Sequence, residues 1–87
     1  MKIKEGFVVR EIAGECVVLA LGQASQSFNG MIKLNESARI LWDLLAQGCE
    51  KEDLVCAMLE QYDVEREIAE HDVERLVENL KGANILE

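Results

Sequence analysis

The sequence has no proline, a single histidine, and only four aromatic residues among its 87. What fills the space instead is aliphatic: 49% of the residues are apolar, too rich in Val, Ile and Leu for a disordered chain. A chain of this length is expected to make one small domain over residues 1–87. It buries only roughly 60% of the surface that its unfolded form exposes, so a surface groove is expected rather than a deep enclosed active site. Cysteine is scarce and odd in number. Cys16, Cys49 and Cys56 include no C-x-x-C pair, which points away from a disulfide framework or a zinc site and toward reduced thiols in a cytoplasmic protein, packed as small hydrophobes. The opening MKIKEGFVVREI lacks the continuous apolar run of a signal peptide. No stretch approaches the roughly 18 apolar residues that span a bilayer, so no membrane partner is expected. The six glycines stand singly at the ends of elements, without the spacing of a phosphate-binding loop, and no cofactor is expected.

Positive charge is also in short supply, and unevenly so. Nine Lys and Arg face seventeen Asp and Glu, for a formal charge of −8. Residues 1–34 are nearly balanced, and the excess acid lies in residues 35–87. DNA and RNA require clustered Lys and Arg to displace counterions, so nucleic acid is not an expected partner. The acidic half reads as a solvated face, or as a surface that steers a basic peptide or protein.

Phe7–Ile12 and Cys16–Leu21 are β-branched, apolar-rich runs separated by Ala13-Gly14-Glu15, the pattern of a hairpin. Gly22 to Asn29 is small and polar and reads as a loop, followed by a short third strand over Gly30–Leu34. The period then changes. Asn35 is a good N-cap for a helix over about 36–47, in which Ile40, Leu41, Leu44 and Leu45 make the apolar stripe and Gly48 closes the end. A second helix is predicted over about 51–62 from Leu54, Val55, Met58, Leu59 and Tyr62. A third, over about 66–82, follows from Ala69, Val73, Leu76, Val77 and Leu80. The order β-β-β-α-α-α with short connections is an α+β arrangement, a small three-stranded antiparallel sheet followed by a three-helix bundle.

Catalytic chemistry has little to work with here. His71 lies in the acidic run Glu70-His71-Asp72 and reads as a surface residue, and no nucleophile has a base at a suggestive spacing. The chain is therefore not expected to be an enzyme.

The stretch Phe28 to Ala38, FNGMIKLNESA, followed by Ile40-Leu41-Trp42, resembles the PqqD family of small peptide chaperones, also called RiPP recognition elements. Leu34, Asn35, Ser37 and Trp42 fill the places where that family's third strand runs into its first helix. Leu54-Val55, Tyr62-Asp63-Val64, Asp72-Val73 and the closing Gly82 with Ile85-Leu86 extend the similarity over nearly the whole chain. Glu50 and Lys51 depart from it, where Thr and an apolar residue are usual, and a frayed start to the second helix is expected. The resemblance implies a winged-helix-like fold and a non-catalytic role: binding the leader segment of a ribosomally synthesised precursor peptide and presenting it to a modifying enzyme, often a radical SAM protein. An exposed third strand can accept such a peptide as an added strand. The implied peptide-binding residues are Phe28, Met31, Ile32, Lys33 and Leu34 on the strand side, with Asp72, Arg75, Leu76, Asn79 and Ala83 as a stripe on the third helix. Strand alternation turns Ile32 and Leu34 inward and Met31 and Lys33 outward, so the strand's backbone carries the hypothesis. Leu76 alone also fits a plain core position.

Two other classes use the same features. A strand edge can serve a second copy of the chain and make a homodimer. A winged helix can be a transcription regulator, but Glu67, Glu70, Asp72, Glu74 and Glu78 give the third helix the wrong sign for a major groove.

Overall fold

The computed structural model describes residues 1–27 and 32–87. Strands β1 (Phe7–Ile12) and β2 (Glu15–Ala20) form the predicted hairpin, pairing antiparallel from Phe7 with Ala20 to Ile12 with Glu15. The two connecting residues have positive φ, Ala13 at 53° and Gly14 at 81°. That combination matches the right-handed twist of the strands, and Gly14 adopts it without steric cost. Helix α1 is a single turn, Ala24–Ser27, inside the segment expected to be a loop. A turn this short shows no apolar period; the Ser25 hydroxyl donates to the Gly22 carbonyl at 2.6 Å and holds it locally.

Strand β3 (Ile32–Leu34) pairs antiparallel with β2, placing Leu34 opposite Cys16, Lys33 opposite Val17 and Ile32 opposite Val18. The sheet order is β1-β2-β3, so β3 is an edge. The expected strand positions Gly30 and Met31 lie outside the described residues, as does Phe28. Three longer helices follow: α2 (Glu36–Gln47), α3 (Lys51–Gln61) and α4 (Arg66–Gly82). Asn35 caps α2 through its side chain, which accepts from the Ala38 N–H at 2.9 Å. At the other end Gly48, with φ of 94°, turns its N–H back onto the Leu44 and Leu45 carbonyls. Helix α3 does not have the frayed start expected of Glu50-Lys51. The Asp53 carboxylate accepts from the Glu50 N–H at 2.9 Å and the Asp53 N–H donates to the Glu50 carbonyl at 3.1 Å, so an acid at the third helical position ties down the start of the helix in the absence of a Thr cap.

The core lies between the inner face of the sheet and the helices. Val18, Leu45, Leu54, Val73, Leu80 and Ile85 are each removed from solvent, along with Trp42 and Met58. Each such aliphatic side chain contributes about 1.5–3 kcal/mol relative to exposure. Ile3 and Leu86 make an isolated antiparallel bridge, with the Lys4 N–H donating to the Ile85 carbonyl at 2.8 Å and the Glu87 N–H to Lys2 at 2.9 Å. Residues near the two ends thus pair with each other and contribute Ile3, Ile85 and Leu86 to the core. Cysteine is less internal than expected. Cys16 and Cys49 are half-buried, and Cys56 is exposed because the α3 stripe turns it outward. Among the described residues no helix is long and apolar enough to cross a membrane.

Candidate functional site

Helix α4 determines the site. Ala69, Val73, Val77 and Leu80 point into the core. The adjacent stripe at Asp72, Arg75, Leu76 and Asn79 lies about a quarter-turn away and faces back toward β3 across an open cleft of about 950 Å³. The cleft is walled on one side by Ile32, Lys33 and Leu34 and on the other by the α4 stripe. Its floor comes from Leu41, Met58 and Leu80, all buried, with Ile32 and Leu76 half-buried at the margin. Every described residue of the expected peptide-binding set lines this one cleft, except Ala83, which caps α4 and packs against the core instead. Leu76 divides its surface between core and cleft, so neither simple reading of it is complete.

The connection from β3 into α2 shapes the third side. Asn35 ends the strand and opens the helix, so the chain turns without an intervening loop and sets Ser37 and Ile40, one turn apart, against the cleft. The Ser37 hydroxyl donates to the Asn35 side-chain oxygen at 3.1 Å and braces the cap. A smaller pocket of about 280 Å³, walled by Met58 and Tyr62, opens beside Asn35, Glu36 and Ser37. The sequence reading missed Cys16, Arg39 and Ile40 as cleft residues. For Ile40 the signal was available, because Ser37 and Ile40 share a helical face with Leu41. Cys16 and Arg39 carry no such signal; only the sheet register brings β2 beside α2.

Three acids (Glu15, Glu36, Asp72) and three bases (Lys33, Arg39, Arg75) line the cleft, a balanced surface on a strongly acidic chain. Lys33 pairs with Glu15 at 3.2 Å. Arg39 donates to Asp43 at 3.1 Å and to the Cys16 sulfur at 3.9 Å, and the Asp43 bond first, the thiol second, raises its pKa from the ordinary value. Away from the cleft, Arg66 bonds Glu52 and Lys51 bonds Glu74 at 2.6 Å, tying α3 to α4. Burial pushes the Cys49 thiol up, so it is a weaker nucleophile than an exposed cysteine. Among the described residues no group of three or more His, Cys, Asp or Glu could hold a metal ion.

Two solved structures match this architecture. One is TbiB1 in complex with the TbiA(beta) leader peptide, at a TM-score of 0.79 and 29% identity, covering 100% of this chain and 95% of the other. The second is a lasso peptide synthetase B1 complexed with the leader peptide, at a TM-score of 0.76 and 25% identity, covering 97% of this chain and 93% of the other. No curated protein sequence matches the chain. The family model of coenzyme PQQ synthesis protein D matches residues 15–86, which span β2, β3, all four helices and every residue lining the cleft except Gly14. The chain therefore belongs to the PqqD family.

Proposed function

We propose that this protein is a non-catalytic chaperone that binds the leader segment of a ribosomally made precursor peptide in the cleft between β3 and α4. The observation that carries this reading is the edge position of β3. Among the described residues its outer side has no partner strand, and it opens onto a cleft with an apolar floor and a polar wall. An extended peptide completes the hydrogen-bond ladder through its backbone, while alternate side chains meet the floor and α4. Family membership and the leader peptides bound by both structural neighbours support the same assignment. Ile32, Lys33 and Leu34 supply the edge, and Asp72, Arg75, Leu76 and Asn79 supply the wall.

The bound leader is presented to a peptide-modifying enzyme in the cytoplasm. The family resemblance suggests a radical SAM enzyme, whereas the neighbour that is a lasso peptide synthetase B1 favours a synthetase subunit as partner. Titration calorimetry with the leader peptide of each short precursor encoded beside the gene tests the reading. One of them is expected to bind with roughly micromolar or tighter affinity, on the order of −8 kcal/mol, without metal or nucleotide. Absence of any binder, with a concentration-dependent dimer in its place, would assign the β3 edge to self-association.

A further inference from the structure

Asp72 and Arg75 stand three residues apart on the α4 wall, and both are exposed to the cleft. The other two bases lining the cleft are engaged, Lys33 with Glu15 and Arg39 with Asp43. On the rest of α4, Arg66 holds Glu52 and Glu70, and Glu74 holds Lys51. Among the described residues Asp72 and Arg75 form no ion pair or side-chain hydrogen bond, with each other or with any neighbour. An occupant of the cleft must cover them. A charged group that loses water without gaining a partner opposes binding, so an unmatched peptide is penalised and a matched one is selected.

Building on the leader-binding reading, we propose that the leader sets an acidic side chain against Arg75 and, two residues away along the same extended stretch, a cationic one against Asp72. The spacings agree. Side chains three apart on a helix lie about 5–6 Å from each other, and residues two apart on a strand share a face at roughly 6.6–6.8 Å. Because acids and bases balance in the cleft, the leader is chosen by where its charges fall rather than by its net charge. The backbone ladder along β3 is indifferent to sequence, and this pair supplies discrimination.

The test uses synthetic leader peptides of the neighbouring precursors, titrated against the wild-type protein, Arg75→Glu and Asp72→Lys. The leader that binds wild type is then remade with Lys or Glu at each position in turn. We expect Arg75→Glu to weaken binding by about tenfold or more. One acidic leader position, replaced by Lys, should weaken wild type equally and restore Arg75→Glu. A basic position two residues away should behave in the converse way with Asp72→Lys. Thermal melts accompany each variant; if Arg75→Glu melts early, Arg75→Gln and the leader acid changed to Gln give the same answer as a double-mutant cycle, in which additivity refutes the pair. Binding of both charge variants within about twofold of wild type would overturn the proposal while leaving the cleft as the leader site. Failure of every leader to bind wild type would overturn the leader-binding reading itself.

Discussion

The sheet has two outer edges, and they differ in what flanks them. Strand β1 is the longer, six residues, and carries Arg10, Glu11 and the half-exposed Ile12. Strand β3 has three residues, yet it runs without a loop into the capped α2 and faces α4 across the cleft. Unpaired N–H and C=O groups make any edge adhesive to extended chain. What separates them is the wall: β3 borders the apolar floor and the charged stripe of α4 in one cleft, and no residue of β1 lines that cleft. On the proposed reading, recognition depends less on edge length than on the tertiary surroundings of the edge.

The largest test of this contrast uses proline on both edges. In an antiparallel strand adjacent residues direct their N–H groups to opposite sides, so of Ile32→Pro and Lys33→Pro one removes a donor from the pairing with β2 and the other from the free edge. The latter is expected to keep a cooperative melt while losing about 1.5 kcal/mol or more of leader affinity, the scale of a lost hydrogen bond plus an unpaired partner. The equivalent pair on β1, Val9→Pro and Arg10→Pro, should contain a folded variant that binds as wild type does. Paired melts and titrations decide; equal losses of affinity from folded variants on both edges would erase the distinction.

A smaller effect is expected where β3 meets α2. Asn35→Ala removes the side chain that accepts the Ala38 N–H, and should cost about 1 kcal/mol of stability by chemical denaturation. Because the same residue borders the cleft and orients Ser37, leader affinity should also fall. The matching change at the end of β1 is Ala13→Gly, which relieves a left-handed backbone at φ 53°. It should raise stability by up to about 1 kcal/mol, the steric cost of that conformation for a residue with a Cβ, and leave leader affinity unchanged. A change in affinity from Ala13→Gly would tie β1 to the site.

Much of this was readable before the fold was known. The stripe Ala69, Val73, Val77 and Leu80 placed α4, and the Asn35 and Gly48 caps bounded α2, because capping and amphipathic spacing are properties of a few consecutive residues. Of the α4 stripe that the family resemblance implied, Asp72, Arg75, Leu76 and Asn79 line the cleft and Ala83 does not. Single-turn α1 escaped notice, having too few residues to show a period. A frayed start follows from Glu50 and Lys51 taken alone, whereas the compensating acceptor, Asp53, stands three residues after Glu50 in the same first turn.

The amino-acid sequence by itself therefore determined the three strands and the three longer helices, their order and the faces they bury, since these depend on local backbone preference and on the spacing of apolar side chains. Only the tertiary structure decided which edge of the sheet acquires a wall, and that Cys16 and Arg39 meet across 23 positions. It also closed Ile3 onto Leu86 across most of the chain. Such contacts join residues distant in sequence, and they form only when the packing of the whole core fixes how the sheet and helices meet.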